Sequence, residues 1–400
     1  MGMSLRTATG IDPADFSRFD PVPPEGIARA TAIMRSGEMF RYADHRAGDC
    51  EVVLLEREVA RYVGARYALA VSSCSKALQL ALAVCGVEPG SKVLAPGFTF
   101  SAVPSAILLR GAVPVFVEST EDYRIDLVDL ESKIAPDTKV LLLSHMRGYA
   151  PDMDAVVALC AKHDITLIED AAHALGGRWC GRALGSFGKI GCYSFQSNKI
   201  VNAGEGGVLV TDDEEAIVKA IYLSGAYDSN YRKHGISSTL FESFRNRLPL
   251  DNARMTNLTA AIARPQIALI DAKGERFRQM HAYLRRELAA THQIVFPRDH
   301  PVELRIPDSI QFRLRNFTSN AVKTFLAYIR DRGIPITGFG ERDNARAFFN
   351  WQYLDVPHLP QTGRILADSC DLRLSSNLTE EHLCYLVSAL RDAVLEAQAS

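Results

Sequence analysis

The stretch IGCYSFQSNKIVNAGEGGVLV, residues 190–210, decides how the rest of the chain is interpreted. It predicts an apolar strand, a short polar turn and a second apolar strand. Lys199 lies in the turn, five residues after Ser194, and glycines follow it at 204, 206 and 207. Most lysines are exposed to solvent, and Lys199 could simply be a solvated loop residue. A lysine held at the wall of a cleft would instead be able to form a Schiff base with an aldehyde cofactor.

The composition is that of an ordinary globular enzyme with room for two domains. The 400 residues are 47% apolar and 23% charged, with a formal net charge of −2. The absence of a basic cluster argues against nucleic-acid binding. Residues 1–16 lack the apolar core of a signal peptide, and prolines interrupt the apolar run at 101–117. We therefore expect a cytoplasmic protein without a membrane span. None of the eight cysteines has zinc-site spacing, so no metal site is expected.

Short apolar segments alternate with amphipathic ones from residue 67 to residue 170. Strands are predicted at 67–72, 92–95, 113–118, 139–144 and 166–170, and helices lie between them at 75–85, 100–109, 127–134 and 154–163. This alternation predicts an α/β fold whose parallel sheet is covered by helices on both faces. Ligands bind at the carboxyl ends of the strands in such sheets.

The pattern changes after Pro265, which predicts a domain boundary. An arginine-rich helix is predicted at 266–290, followed by strands at 294–297 and 309–314 and a helix at 321–332. We therefore divide the chain into an N-terminal arm at 1–25, a large domain at 26–265 and a small α+β domain at 266–400.

Two polar residues follow the strand in LIEDAAHALGG. Asp170 ends that strand, 29 residues before Lys199, and His173 lies three residues further on. An acid at a strand tip is often only a helix cap, and a histidine there is often structural. Beside a Schiff-base lysine, however, a buried carboxylate would keep the ring nitrogen of pyridoxal phosphate protonated. His173 would then face the cofactor's ring or its phenolic oxygen.

Two further segments carry the chemistry that a phosphorylated, flat cofactor needs. VSSCSKALQLAL predicts a strand, a serine-rich turn and a helix start where Ser75 and Lys76 could bind phosphate. The alternative is an N-cap serine with no ligand. Phe100, in PGFTFSA, opens the next predicted helix and is either a core residue or an aromatic that stacks on a pyridine ring.

Together these segments resemble the DegT/DnrJ/EryC1/StrS family, which comprises fold-type I enzymes that use pyridoxal phosphate and are mostly aminotransferases for sugars and cyclitols. The resemblance is strong over residues 30–265 and looser beyond. It also includes RSGEMF at 35–40, PVFVE at 114–118, HMRGYAPDMDAV at 145–156, GSFGKIGCYSF at 185–195 and NARMTNLTAAIA at 252–263. It implies a mostly parallel seven-stranded sheet flanked by helices, with a smaller C-terminal α+β domain.

The resemblance also implies a role for each matching residue. Lys199 would hold the cofactor and move the proton between substrate and cofactor, and Asp170 would pair with the pyridinium nitrogen. His173 would lie beside the phenolic oxygen. The remaining matches are the phosphate-binding Ser75, Lys76 and Ser194, the stacking Phe100, and Asn252, which would reach the phosphate from a neighbouring subunit. A homodimer with shared active sites follows from that last match.

Several positions depart from the sugar-aminotransferase pattern and bear on the substrate. Lys76 replaces a small residue, Ala253 replaces a tyrosine, and Arg147 stands where many relatives carry a neutral residue. CDLRLSSNLT at 370–379 places Arg373 in a motif that resembles the carboxylate-binding strand of other fold-type I enzymes. Arg373 is therefore either a ligand for an amino acid's α-carboxylate or an exposed arginine on an edge strand.

We predict an aminotransferase that takes an amino group from glutamate or glutamine, stores it as pyridoxamine phosphate and passes it to a keto or aldehyde acceptor. The acceptor would be a sugar, a cyclitol or a specialised metabolite. The alternative keeps the cofactor but acts on an amino acid itself, as a lyase, decarboxylase, racemase or oxidase, with Arg373 holding its α-carboxylate. A non-catalytic relative is the third class, and the presence of Lys199 and Asp170 argues against it.

Overall fold

A computed structural model describes residues 11–42, 49–225 and 232–399 of the chain. The helices are α1 (Pro24–Ser36), α2 (Glu51–Val63), α3 (Cys74–Val84), α4 (Ala102–Leu109), α5 (Leu127–Ser132), α6 (Met153–Lys162), α7 (Glu214–Leu223), α8 (Ser238–Ser243), α9 (Asn257–Ile267), α10 (Ile270–Leu288), α11 (Ser319–Arg330), α12 (Pro360–Ala367) and α13 (Glu380–Ala399). Within these described ranges, no helix combines the length and apolar character needed to span a membrane.

The strands form one large sheet and two smaller ones. They are β1 (Tyr67–Val71), β2 (Lys92–Pro96), β3 (Val113–Val117), β4 (Thr138–Ser144), β5 (Thr166–Asp170), β6 (Arg178–Trp179), β7 (Arg182–Ala183), β8 (Ile190–Ser194), β9 (Gly207–Thr211), β10 (Ile294–Val295), β11 (Glu303–Leu304), β12 (Ser309–Leu314), β13 (Ile336–Gly338) and β14 (Ser369–Arg373). The large sheet has seven strands in the order β1-β9-β8-β5-β4-β2-β3.

The large sheet is parallel through its centre and antiparallel at one side. Strands β3, β2, β4, β5 and β8 run parallel, whereas β9 is antiparallel to both β8 and β1. Its two faces bury separate apolar clusters, because alternate side chains of one strand point to opposite faces. In β1, Leu69 and Val71 pack with α3 and α7, while Ala70 joins the cluster that contains α2 and α6. The predicted fold class is confirmed.

The small domain is an antiparallel sheet in the order β10-β12-β14-β13, covered by helices. β12 and β14 pair in the register Ser309↔Arg373, which brings Arg373 to one end of the sheet. Helix α11 packs against α13, and α10 packs against α13 as well. The short strands β11, β6 and β7 form a third sheet that joins residues of both predicted domains.

The chain changes from large to small domain within a pair of helices. The helix predicted from residue 266 is wrong at its start, because α9 already runs from Asn257 to Ile267 with Pro265 inside it. Helix α9 packs against α1 and α2, so it belongs with the large sheet. Helix α10 begins at Ile270 and packs on the small domain. The domain division as a whole stays a prediction.

The described part of the N-terminal arm lies over the small domain and ties it to the large one. The ring of Phe16 stacks on Tyr385 of α13. The carboxylate of Asp20 accepts a hydrogen bond from Ser376 and pairs with Lys273 at 3.0 Å. Its backbone carbonyl accepts from Asn202 at 3.2 Å. Residues 1–10 of the predicted arm lie outside the described residues.

Strand β8 approaches the preceding turn so closely that only glycine fits. A Cβ atom added to Gly191 would stand 1.8 Å from the backbone oxygen of Gly185. Gly185 itself has a φ of 91°, in the region that favours glycine, and a Cβ there would collide with the Tyr193 ring. The GSFGKIG segment is therefore shaped by backbone contact as well as by side chains.

We expect Gly191→Ala to lower the free energy of unfolding by about 2–3 kcal/mol, because the added methyl group meets rigid backbone. The matched control is Gly363→Ala in α12, where the nearest heavy atom is 3.7 Å away. That change should raise stability by about 0.5–1 kcal/mol, since alanine is the better helix former. Urea unfolding at equal protein concentrations measures both. Equal midpoints for the two variants would contradict the packing described here.

Candidate active site

The predicted site residues converge at the carboxyl edge of the large sheet. Ser144 ends β4, Asp170 ends β5 and Ser194 ends β8. The strands pair with Ser144 opposite Asp170, and Asp170 opposite Cys192. Three polar side chains therefore stand on neighbouring strands at the edge where parallel sheets bind ligands.

Asp170 is a buried carboxylate with few hydrogen-bond partners. Its Oδ2 atom accepts from Ser144 Oγ at 2.9 Å, and its Oδ1 atom accepts from the backbone N–H of Ala172 at 3.1 Å. The thiol of Cys74 lies 4.0 Å from Oδ1. Burial raises the pKa of Asp170, and the two hydrogen bonds and Lys199 oppose that rise. A cation placed against this carboxylate would restore its charged form.

The adjacent Glu169 connects the end of β5 to the segments on either side of it. Its fully buried carboxylate accepts four hydrogen bonds, from His145 Nε2 and from the backbone N–H groups of residues 185, 187 and 188. The donors come from the loop after β4 and from the turn before β8. Glu169 therefore joins three segments that position Asp170.

Lys199 lies beside His173, and the sequence predicts that both belong to one site. The Nζ atom of Lys199 is 2.9 Å from His173 Nε2 and 3.2 Å from Nδ1. Burial lowers the pKa of Lys199 to about 7, helped by the positive charge of Arg147 and opposed by Asp308. Burial, together with Lys199 itself, holds the pKa of His173 well below its usual value. A neutral imidazole therefore faces an amine of which about half is unprotonated at neutral pH, far more than for an exposed lysine.

A cleft beside Lys199 contains residues from the arm and from both domains. Arg373 lines it together with Lys199 and Asp308, and the other lining residues are Arg18, Phe19, Asp20, Ser197, Ile200, Asn202, Phe277, Leu374, Ser375 and Ser376. Arg373 is half-buried at the end of β14. The structure thus places Arg373 at the same cleft as Lys199, on an inner strand of the small domain's sheet and not on an edge strand.

Arg147 is buried and paired with a carboxylate of the same chain. Its guanidinium donates to Asp371, and its backbone φ is 55°, in the left-handed region that few non-glycine residues adopt. The Nε atom of Arg147 has no partner among the described residues. Substrate binding by Arg147 stays a prediction, and the ion pair leaves only part of its guanidinium for a ligand.

The predicted phosphate-binding residues surround the start of α3. Ser73 is the N-cap and accepts from the backbone N–H of Lys76 at 3.2 Å, so Ser75 is the second residue of the helix. The N–H groups of the first helical turn have no partner inside the helix. Gly207 lets β9 approach this turn, because a Cβ there would lie 2.5 Å from the Cys74 nitrogen. Ser194, at the end of β8, accepts from the N–H of Gln196 at 3.3 Å.

Two further predicted cofactor-binding residues, Lys76 and Asn252, lie beside this turn. The ammonium group of Lys76 pairs with Asp251 at 2.7 Å, so its charge is already compensated within the chain. Asn252 is exposed, and the backbone carbonyl of the next residue, Ala253, accepts from Ser72 at 2.8 Å. Asn252 therefore lies near the turn of its own chain, while its side chain remains accessible.

Phe100 precedes α4 instead of opening it, because α4 begins at Ala102. Its side chain is 44% exposed, and the guanidinium of Arg346 lies 5.9 Å from the ring centroid. A half-exposed aromatic ring at this edge is available for stacking, and that role stays a prediction.

Sequence reasoning missed four residues that take part in this site. Ser144 ends a predicted strand, a position that signals a role because such positions share one edge. Asp371 stands two residues before Arg373, in a segment whose resemblance to a carboxylate-binding strand concerns only the arginine. Asp308 and Arg346 lie in loops of the small domain and carry no motif, so only the folded chain places them here.

Comparison with known proteins identifies the family of the chain. Residues 25–391 match the model of the DegT/DnrJ/EryC1/StrS aminotransferase family. The chain belongs to this family. Among curated relatives, 3-amino-5-hydroxybenzoate synthase of Amycolatopsis mediterranei is 34% identical over 64% of this chain and 62% of its own length. GDP-perosamine synthase of Caulobacter vibrioides is 34% identical over 55% of this chain and 57% of its own. The aligned region thus spans about three fifths of these curated relatives.

A solved structure of 3-amino-5-hydroxybenzoic acid synthase superimposes with a TM-score of 0.81 at 28% identity, covering 94% of this chain and 99% of that one. The family's cofactor is pyridoxal phosphate, as predicted. The residues present fit it. The underpartnered carboxylate of Asp170 suits a pyridinium N–H, the start of α3 suits a phosphate, and the Lys199 amine, with its lowered pKa, suits an aldehyde.

Asp308 raises the pKa of Lys199, so we expect Asp308→Asn to lower it. Cofactor-free protein would be exposed briefly to pyridoxal phosphate at different pH values and then reduced with borohydride. Labelling of Lys199 should rise with pH through an inflection near 7, because only the unprotonated amine attacks an aldehyde. In Asp308→Asn the inflection should move to lower pH. Peptide mass spectrometry quantifies the label, and exposed Asp355→Asn is the control. An inflection near pH 10, or one unmoved by Asp308→Asn, would contradict this electrostatic account.

Proposed function

We propose that the chain is a pyridoxal-phosphate-dependent aminotransferase that moves an amino group from glutamate or glutamine to a keto or aldehyde acceptor. The acceptor would be a sugar, a cyclitol or a specialised metabolite. The observation that carries the proposal is the Lys199 amine, which lies beside a cleft and near the buried Asp170 and whose pKa burial lowers to about 7. Family membership supports it, as do relatives named for the synthesis of an amino sugar and of an aminobenzoate.

When bound, pyridoxal phosphate supplies an electron sink and carries the amino group between the two substrates. Lys199 would attach it, because a pKa of about 7 makes a substantial share of its Nζ amine available as a nucleophile at neutral pH. Asp170 provides a negative charge for the pyridinium nitrogen, and Ser144 holds that carboxylate in place through Oδ2.

Lys199 and His173 lie within hydrogen-bond distance of each other. With the cofactor bound, the Lys199 amine would be the group that moves the proton at the substrate's α-carbon. His173 lies within 2.9 Å of the Lys199 Nζ atom and remains neutral, so it can accept a hydrogen bond and orient the amine. Arg373, at the cleft wall, offers the planar fork that grips an α-carboxylate.

The placement of Arg373 also suits the alternative of an enzyme that acts on an amino acid itself. A lyase, decarboxylase, racemase or oxidase must hold an α-carboxylate in the same way. The fate of the substrate amino group separates the two functions, because only an aminotransferase retains it on the cofactor.

The test is to mix the cofactor-loaded enzyme with glutamate, glutamine and other amino acids and to follow cofactor absorbance and products. We expect conversion to the amino form of the cofactor with release of the matching keto acid. Ammonia, carbon dioxide or oxygen uptake would favour the alternative. Borohydride reduction followed by peptide mapping should place the cofactor on Lys199.

Two variants sharpen this test. Lys199→Ala should lose the borohydride-trapped label and multiple turnover. Asp170→Asn should keep its far-UV circular dichroism spectrum and lose on the order of 10²- to 10³-fold in kcat, because the ring nitrogen loses its charge partner. A label on Lys76, or full activity in Asp170→Asn, would refute the assignment.

The chain also acts, in this proposal, as a homodimer with shared active sites. Asn252 is exposed and would reach the cofactor's phosphate in the partner subunit, where Ser75 and Ser194 supply further donors. The start of α3 offers few side-chain donors of its own, since Lys76 is already paired.

Subunit mixing decides whether the sites are shared. Lys199→Ala and Asn252→Ala would each be purified, mixed under dissociating conditions and reassembled. If Asn252 serves the partner's site, each hybrid dimer contains one site free of both lesions, and activity should return. Each variant reassembled with itself is the control. If Asn252 serves its own chain, mixing restores nothing, because every site then carries one lesion.

A further inference from the structure

Four positively charged side chains act on one imidazole in this site. Lys199, Arg147, Arg346 and Arg373 all lower the pKa of His173, and burial is the largest cause of that shift. Among these cations, the one ion pair that the structure forms with the described residues is that of Arg147 with Asp371. The remaining two guanidinium groups are therefore the unexplained feature of the cleft.

Arg346 and Arg373 donate no side-chain hydrogen bond to any described residue, although both are half-buried. The Nε atom of Arg346 is fully buried and unpartnered. Burial lowers the pKa of Arg346 to about 10, and Arg147 adds to this effect. Burial likewise lowers the pKa of Arg373, with Asp308 opposing it. Guanidinium groups that are partly removed from water without a partner are costly, so such a pair is typical of a site that an anion completes.

The backbone holds Arg346 at the same edge of the sheet as the catalytic groups. Residues 345 and 347 pair with the loop after β2, through the Ser101 N–H to Ala345 carbonyl bond and the bridge between Phe98 and Ala347. Its guanidinium lies 5.9 Å from the centroid of the Phe100 ring, and Arg373 ends β14, a strand of the small domain's sheet. Two separate elements thus bring cations close enough to His173 for both to act on it.

The nearby acids do not neutralise these two arginines directly. Asp371 accepts from Arg147 and from Gln311 Nε2, at 2.8 Å for the latter. Asp308 accepts from Ser309 at 3.1 Å. Both carboxylates are thereby held within the small domain by bonds to other residues. The arginines keep their full hydrogen-bonding capacity for a ligand.

We propose that Arg346 and Arg373 form one anion subsite, and that the amino acceptor, like the donor, carries a carboxylate. The inference rests on the proposed function, in which donor and acceptor occupy the same site in turn. A donor's carboxylate satisfies the arginines in the first half-reaction. A neutral acceptor would cover these half-buried cations and leave them unpaired in the second, whereas a carboxylated carbonyl compound satisfies them again. Arg346 is accordingly a specificity-determining residue.

Calorimetry tests the subsite without requiring turnover. Glutarate should bind the cofactor-loaded protein, and the neutral pentanediamide should bind far more weakly. Arg346→Gln and Arg373→Gln should each weaken glutarate binding roughly 10- to 100-fold and leave pentanediamide unchanged, since each loses a charge-assisted hydrogen bond. Arg346→Lys should recover only part of the affinity, because it lacks the fork. Arg332→Gln, just after α11 and outside the residues that line the cleft, removes the same charge and should change nothing.

The second half-reaction tests the acceptor class. Enzyme converted to the amino form with glutamate and then dialysed would be mixed with 3-oxocyclohexanecarboxylate or with its methyl ester, and return of the aldehyde form would be followed by absorbance. We expect a clear preference for the acid, which Arg346→Gln removes. Equal rates for acid and ester would overturn the proposal while leaving the aminotransferase function intact.

The remaining outcomes are also decisive. If no amino acid yields the amino form, the proposed function fails, and calorimetry alone still decides the anion subsite. If Arg346→Gln binds glutarate normally, the subsite is wrong. If it instead loses pyridoxal phosphate during gel filtration, Arg346 serves the cofactor's phosphate, and the proposal is wrong for that reason.

Discussion

The carboxylate of Glu169 is the constraint on which the site depends. A fully buried charge is tolerable only when its lone pairs are occupied, and four donors occupy those of Glu169. The donors lie in the loop that follows β4 and in the turn that precedes β8. One side chain therefore sets the relative position of three neighbouring strand ends. The same hydrogen bonds also position Asp170, because it is the next residue on β5.

Electrostatics at the site follow from what each charge is paired with. Arg147 is neutralised by Asp371 yet remains close enough to depress the pKa of Lys199. Burial lowers the pKa of Lys199 to about 7, and Arg147 adds to this effect while Asp308 and Asp170 oppose it. Burial is also the main reason that the pKa of His173 lies well below its usual value, and the nearby cations add to it. Removal from water thus prepares a nucleophilic amine at the same place where two guanidinium groups remain without ion pairs to the described residues.

The sequence predicted the large sheet well because its strands are short, apolar and bounded by clear helical patterns. Lys199, Asp170 and Ser194 were placed at its edge for the same reason, since strand ends can be identified from the pattern alone. The start of α9 was missed because its small and polar residues show weak periodicity. Arg346 and Asp308 could not be found, because a long-range approach between loops leaves no local signal. The Lys76 pairing with Asp251 was equally invisible, since 175 residues separate the two.

The arm carries a consequence for the order in which the protein is made. Asp20 and Ser376 form one wall of the cleft, and they stand 356 residues apart in the chain. At a synthesis rate of roughly 5–20 residues per second, Asp20 is synthesised about 20–70 s before Ser376. The large sheet is complete in sequence by β9, well before that moment. A nascent chain therefore acquires its reactive lysine early and encloses it last, when its beginning and its end finally meet.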